Sequence, residues 1–169
     1  MTSDQVFPFS QFPTEPRLLE LLPGDVGLGL ADDEFKTLLG SCVAVILTDP
    51  RRTVGAMCHI VHAGEPGPQE ARNTAYARVA MTEMYRLLRS VGVVPGLCQA
   101  YVYGGGNMFP DLIQRGTVGE RNARWVMDFL AAEGIAVLHH SLMGVGHRNL
   151  RWTVGPALPL VEQIPINQE

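Results

Sequence analysis

The chain has 169 residues, a formal net charge of −4 and 46% hydrophobic residues, which indicates a single domain with one substantial core. Its 13 basic residues are outnumbered by 17 acidic ones, so the chain lacks the positive field that binds nucleic acid. No stretch approaches the roughly eighteen apolar residues of a membrane span, and the first residues lack the basic start and apolar core of a signal peptide. A cytoplasmic protein without direct membrane insertion is therefore expected.

Three regions are expected from the composition along the chain. Residues 1–23 contain several prolines, scattered phenylalanines and no sustained hydrophobic period, which predicts an irregular N-terminal extension. Residues 24–164 are predicted to form the folded domain. Residues 165–169 are predicted to be a short C-terminal tail.

The hydrophobic pattern of the domain alternates between strand and helix periods. In chain order it predicts a strand from Gly24 onward, a hairpin within 42–61, a loop over 65–68, a helix over 70–91 ended by Gly92, a strand over 97–103, a helix over 120–133 ended by Gly134, and strands over 135–142, 150–154 and 158–162. This order indicates an α/β fold, a single-domain layered sandwich of mixed or antiparallel sheet with two main helices.

The predicted hairpin brings a cysteine and a histidine together. A tight turn centred on Pro50 and Arg51 places Cys42 directly opposite His59. Residues that are directly opposed on antiparallel strands have Cβ atoms about 4.5–5.5 Å apart on one face, within reach for a thiol and an imidazole. A register error of one residue would place the two side chains on opposite faces.

A cysteine beside a histidine suits nucleophilic catalysis. An isolated thiol with a pKa of about 8.5 is mostly protonated at neutral pH, whereas a neighbouring imidazolium stabilises the thiolate, which is the nucleophile, and can then return its proton to a leaving group. Such a pair performs acyl transfer through a thioester. Gly40 and Ser41 come just before Cys42, and a glycine there permits a turn whose amide N–H groups face a developing oxyanion.

A structural role for both residues remains open, because free cysteines and strand histidines are often buried in cores. A zinc site built from Cys42, Cys58, His59 and His62 is not expected, since alternation along the strands turns two of the four away. Cys58 and Cys98 are predicted to be core thiols. An odd number of cysteines gives no disulfide framework.

A glycine run at 104–106 precedes Asn107. Its spacing matches neither a Walker loop nor a dinucleotide fingerprint, so no nucleotide cofactor is expected. The run predicts a turn where the backbone closely approaches the active site. Asn107 is predicted to hydrogen-bond a substrate carboxamide.

Several segments together resemble the CheD family of chemoreceptor glutamine deamidases. They are Thr37-Leu38-Leu39-Gly40-Ser41-Cys42-Val43-Ala44-Val45, Gly55-Ala56-Met57-Cys58-His59, Tyr103-Gly104-Gly105-Gly106-Asn107-Met108-Phe109 and Gly119-Glu120-Arg121-Asn122-Ala123. The resemblance implies that Cys42 and His59 are the catalytic pair and that a threonine is the third member. Thr37 is the nearest match, five residues before Cys42, whereas some relatives carry threonine six residues before it, where this chain has Lys36.

The resemblance also implies a function for residues 24–164. They would be a protein-glutamine glutaminase domain that needs no cofactor or metal and acts on the cytoplasmic domains of methyl-accepting chemoreceptors, with a CheC-like phosphatase as a second partner. A different class of function remains open, a non-catalytic chemotaxis adaptor with the same fold. A third is a thiol-based redox sensor at Cys42. The presence of both Cys42 and His59 favours the deamidase, since an adaptor has no evident need of both.

Overall fold

The computed structural model describes residues 15–112 and 116–166. Within these residues the elements are, in chain order, β1 (Leu18–Glu20), β2 (Val26–Leu30), β3 (Glu34–Leu39), β4 (Val43–Thr48), β5 (Val54–Ile60), α1 (Ala77–Ser90), β6 (Gln99–Gly104), α2 (Val118–Ala132), β7 (Ala136–Leu142), β8 (His147–Thr153) and β9 (Leu160–Ile164). None of the helices in this part of the chain is long and apolar enough to cross a membrane.

The strands form two sheets that pack face to face. One has five strands in the order β2-β5-β4-β6-β7 and the other has four in the order β1-β3-β8-β9. Among the strands of the described residues, β1 pairs in parallel with β3 and β6 with β7, and the other neighbours are antiparallel. Helix α1 packs on β2 and β5, and α2 on β4 and β7. The expected α/β layered sandwich with two main helices is confirmed, and its layers are helices, five-stranded sheet and four-stranded sheet.

Each face of the central strand β4 belongs to a different core. Val43, Val45 and Leu47 pack under the helices, while Ala44 and Ile46 face the second sheet. The helix-side core also contains Cys58 and Cys98, both buried and free, as predicted. The core between the sheets contains the large side chains of both, including Phe35, Leu39, Met57, Tyr101, Tyr103, Leu150 and Trp152.

The β4–β5 hairpin has a different register from the predicted one. Ala44, not Cys42, lies opposite His59. The turn is where the sequence places it, since the Arg52 amide bonds the Asp49 carbonyl around Pro50 and Arg51. However, Arg52 has a φ of 58°, and the Asp49 carboxylate accepts hydrogen bonds from the amides of Thr53 and Val54. These residues lengthen the loop and shift the pairing by two positions, which keeps every side chain on its expected face.

The N-terminal region is more regular than predicted. Leu18–Glu20 forms β1, which pairs with Glu34, Phe35 and Lys36 of β3, so the prediction of an irregular extension over residues 1–23 is wrong for these three residues. Residues 1–14 of that extension and residues 167–169 of the predicted tail lie outside the described residues. Strand β3 was also not predicted as a separate element. It pairs with β8, more than a hundred residues later in the chain.

The helices begin at different residues from those predicted. Helix α1 begins at Ala77 rather than at 70, because a 3-10 turn at Pro68–Glu70 and an Asn73 side chain that bonds the Ala75 amide occupy the preceding residues. It ends where predicted, with Gly92 at a φ of 79°. Helix α2 begins two residues before the predicted start because the Thr117 hydroxyl caps it, accepting from the Glu120 amide at 3.2 Å.

Candidate active site

His59 is held by a hydrogen bond that joins the two sheets. It lies on β5, is 2% exposed, and its Nδ1 is 2.8 Å from the hydroxyl of Thr37 on β3. The same hydroxyl donates to the Leu21 carbonyl at 2.7 Å. Because a hydroxyl has only one hydrogen, it accepts from the Nδ1–H of a neutral imidazole. That assignment makes Nε2 of His59 the unprotonated nitrogen, the one able to act as a base.

Cys42 is on the same side of the five-stranded sheet as His59. It directly precedes β4, is half-buried, and packs against the core between the sheets that also contains Ala44. Ala44 lies opposite His59, so Cys42, two residues earlier, is the diagonal neighbour of His59 on the same face. The backbones of such diagonal neighbours are about 7–8 Å apart, within reach of longer side chains. Among the described residues, the imidazole of His59 makes a side-chain hydrogen bond with Thr37 and makes none with the Cys42 thiol.

Burial favours the neutral form of both side chains. It raises the pKa of the Cys42 thiol. It lowers the pKa of His59, although the Asp25 carboxylate and the Leu21 carbonyl act in the opposite direction. Both shifts favour a thiol and a neutral imidazole over a thiolate and an imidazolium, the reverse of the pairing expected from the sequence.

The loop before β4 is fixed through three consecutive carbonyl groups. The Gly40 carbonyl accepts from the Gly106 amide at 2.9 Å, and the Cys42 carbonyl accepts from the Gly105 amide at 2.9 Å. Between them, the Ser41 carbonyl accepts from Asn122 Nδ2 at 3.1 Å. Within residues 15–112 and 116–166, no hydrogen bond engages the amide N–H of Ser41 or Cys42.

The glycine run makes the close backbone approach that the sequence predicts. Gly104 has a φ of 116°, and a Cβ there would lie 2.2 Å from the Cys42 carbonyl oxygen. A Cβ at Gly106 would lie 2.5 Å from the carbonyl oxygen of Gly146. Arg148, which is 2% exposed, donates to the carbonyls of Gly104 and Met143. These contacts fix the run against the cysteine loop.

A cleft of about 190 Å³ opens beside this loop. Its lining comprises Ser41, Gly106, Asn107, Met108, Phe109, Thr117, Val118 and Gly119. The Oδ1 of Asn107 accepts from the Phe109 amide at 2.9 Å, so the Nδ2 of Asn107 is the group available to donate to a ligand. The cleft thus combines an amide donor with an apolar rim.

The structure brings together Thr37, His59 and the loop containing Cys42. Ser41 and Asn107 line one cleft. Two buried polar residues that were assigned no role from the sequence, Asn122 and Arg148, fix the surrounding backbone. Asn122 had a detectable signal, since it is a polar residue on the buried face of α2. Among the described residues, no group of three or more His, Cys, Asp or Glu side chains is placed to hold a metal.

Comparisons with known proteins agree with the resemblance. The family model described as "CheD chemotactic sensory transduction" matches residues 62–156, a span that includes Asn122 and Arg148 and begins after His59. A crystal structure of a Neisseria meningitidis protein of family DUF152 is similar with a TM-score of 0.49 and 12% identity, covering 83% of this chain and 76% of that one, a likeness too weak to support any conclusion.

Two curated relatives extend over most of the chain. "Probable chemoreceptor glutamine deamidase CheD 2" of Albidiferax ferrireducens is 35% identical over 138 residues, which are 79% of this chain and 80% of the relative. "Probable chemoreceptor glutamine deamidase CheD 3" of Dechloromonas aromatica is 31% identical over 147 residues, 86% of each chain. The chain therefore belongs to the CheD family.

Proposed function

We propose that the chain hydrolyses glutamine side chains on the cytoplasmic domains of methyl-accepting chemoreceptors, converting them to glutamate through a thioester on Cys42. The observation that carries this proposal is the hydrogen bond between Thr37 and His59. It leaves Nε2 as the basic nitrogen, on the side of the sheet where Cys42 lies. The names of the relatives support the substrate.

The first half of the reaction forms the thioester. Nε2 of His59 accepts the proton of the Cys42 thiol as the sulfur attacks the carboxamide carbon. The amide N–H groups of Ser41 and Cys42 stabilise the oxyanion of the tetrahedral intermediate. The C–N bond then breaks, and the imidazolium of His59 gives its proton to the departing nitrogen, which leaves as ammonia.

The second half regenerates the enzyme. A water molecule attacks the thioester carbon while His59 accepts its proton, and the C–S bond breaks. The proton returns from His59 to the Cys42 sulfur, and the product is a carboxylic acid that releases its proton to solvent to become the glutamate carboxylate. Thr37 holds the imidazole in one tautomer throughout, in the orienting role of a triad's third member.

The cleft beside Ser41 is the proposed site for the substrate side chain. Asn107 would donate from Nδ2 to the carboxamide oxygen, and the apolar rim of Met108 and Phe109 would contact the protein surface around the glutamine. The reaction would replace a neutral amide by a carboxylate in the cytoplasm, which changes the repulsion between neighbouring receptor helices. A CheC-like phosphatase is the further partner that the resemblance implies, and a direct binding titration would test it.

The test is incubation with purified chemoreceptor cytoplasmic domains, measuring ammonia release and locating converted glutamines by mass spectrometry of receptor peptides. The wild-type chain and Cys98→Ala, which removes a core thiol away from the site, should both convert glutamine to glutamate. Cys42→Ala should not. If none of the three converts a receptor that is deamidated in the cell, the adaptor is the better explanation. Oxidant-dependent modification of Cys42 without ammonia release would favour the redox sensor.

A further inference from the structure

Asn122 connects the two segments that bear the proposed catalytic pair. It lies on the buried face of α2, is 1% exposed, and donates from Nδ2 to the carbonyls of Ser41 at 3.1 Å and Val61 at 3.0 Å. Ser41 is adjacent to Cys42, and Val61 follows His59 by two residues. Both hydrogens of the amide nitrogen are thus used on backbone beside the site.

We propose that Asn122 is a positioning residue that sets the direction of the Cys42 amide N–H toward the developing oxyanion. The inference rests on the proposed function because it concerns acyl transfer at Cys42. The Ser41 carbonyl and the Cys42 N–H belong to one planar trans peptide, so they point in opposite directions. Fixing the oxygen on Asn122 therefore fixes the direction of the N–H, which points away from the Asn122 side chain.

The neighbouring peptides strengthen this constraint. The carbonyls of Gly40 and Cys42 are held by the amides of Gly106 and Gly105, so hydrogen bonds on all three consecutive carbonyls restrain the Ser41–Cys42 peptide from rotating about its flanking bonds. Without the Asn122 bond, the central carbonyl loses its only hydrogen-bond partner within the described residues. A preorganised donor is most effective when it needs no reorientation during the reaction.

Two reactions of Cys42 separate this role from a general structural one. Acylation by p-nitrophenyl acetate forms an S–acyl bond through an oxyanion intermediate, breaks the bond to nitrophenolate and transfers the thiol proton to His59. Alkylation by iodoacetamide displaces iodide directly, forms no oxyanion and needs only the sulfur and its base. Loss of an oxyanion donor should therefore slow acylation and leave alkylation largely unaffected.

The experiment compares wild type, Asn122→Ala, Asn122→Ser and a matched control, Thr48→Val, with Cys42→Ala as background. Thr48 is buried and donates to the Val54 carbonyl at 2.8 Å near the opposite end of β4. Thermal unfolding monitors stability, and Asn122→Ser is the variant judged if Asn122→Ala does not fold. Steady-state turnover of receptor domains is measured in parallel.

The Asn122 variants should acylate about 10- to 100-fold more slowly than wild type, alkylate within about twofold, and reduce kcat on receptor far more than they raise KM. Thr48→Val should lower stability without changing either reaction. Equal losses in both reactions, or none in acylation, would overturn the inference. If the selective loss is found but wild type deamidates no receptor, the inference stands and the proposed substrate is wrong.

Discussion

The hydroxyl of Thr37 on β3 lies 2.8 Å from Nδ1 of His59 on β5, and the two strands belong to different sheets. The orientation of the proposed base therefore depends on how the sheets pack together, not on the β4–β5 hairpin alone. Thr37 is itself fixed by its bond to the Leu21 carbonyl, which lies just after β1. The short N-terminal strand thus contributes to the site through Thr37.

Replacing Thr37 by valine should reduce kcat by about 10- to 100-fold, less than the loss of a charged triad member causes, because the imidazole loses its orienting partner. The free energy of unfolding should fall by about 1–3 kcal/mol, since the Leu21 carbonyl loses its donor. Steady-state kinetics and urea unfolding measure the two effects. Thr37→Ser keeps the hydroxyl and should remain close to wild type, and equal activity of the valine variant would exclude Thr37 from the site.

The pH dependence of kcat/KM should reflect a neutral resting pair. Burial lowers the pKa of His59 below its ordinary 6.5, so the imidazole is already an unprotonated base at slightly acid pH and the acid limb should have its midpoint below 6.5. Because burial raises the pKa of Cys42, the thiol should remain protonated through neutral pH. Rates measured from about pH 5 to about pH 9 should therefore show the acid limb followed by a plateau through neutral pH.

Ultraviolet absorbance of the thiolate provides the matching control for this prediction. The signal of wild type should equal that of Cys42→Ala at neutral pH, and His59→Ala should abolish turnover without changing that equality. A thiolate signal at neutral pH that disappears in Cys42→Ala would show instead that the resting site is an ion pair.

Gly104→Ala should damage the site more than a glycine substitution elsewhere. A Cβ at Gly104 would lie 2.2 Å from the Cys42 carbonyl oxygen, and the φ of 116° disfavours any side chain. Combined strain and overpacking should cost about 2–5 kcal/mol of unfolding free energy and displace Cys42. Gly96→Ala is the matched control, because a Cβ there meets nothing within 4 Å. Comparable activity and stability of the two variants would contradict the proposed packing.

Much of the site could be predicted locally. The segment from Cys42 to His59 forms one hairpin, and the sequence around Pro50 predicts its turn. The register was wrong by two because the positive φ of Arg52 and the bonds from the Asp49 carboxylate have no periodic signature. The predicted face of each side chain was nevertheless correct, because side chains alternate with a period of two and a shift of two positions preserves the face.

The parts that could not be predicted depend on long-range contacts. Strand β3 is stabilised by β8 across most of the chain, and a hydrophobic pattern carries no information about which strand will be the partner. Asn122 and Arg148 are buried polar residues whose partners are backbone carbonyls in distant loops. A polar residue on an apolar helix face indicates a buried hydrogen bond, but only the fold identifies the carbonyl that accepts it.

Asp33 should stabilise the N-terminal strand in a pH-dependent way. Its carboxylate, at the β2–β3 turn, accepts from the Arg17 amide at 2.8 Å, the Arg17 guanidinium at 2.8 Å and the Leu30 amide at 2.9 Å. Burial opposes ionisation, but these bonds outweigh it and hold the pKa of Asp33 below its ordinary 3.8. The folded state therefore binds fewer protons, and this stabilisation is present above pH 3.8 and lost as pH falls through the folded-state pKa.

Asp33→Asn should accordingly lower the unfolding free energy by about 1–3 kcal/mol at neutral pH, and the difference from wild type should shrink as pH falls below 3.8. Urea unfolding over a pH series at constant ionic strength measures this difference in unfolding free energy. Glu34→Gln is the control, because its ion pair with Arg151 at 3.3 Å is largely exposed and should contribute at most about 1 kcal/mol. A difference for Asp33→Asn that stays constant into acid would show that the ionised carboxylate is not its source.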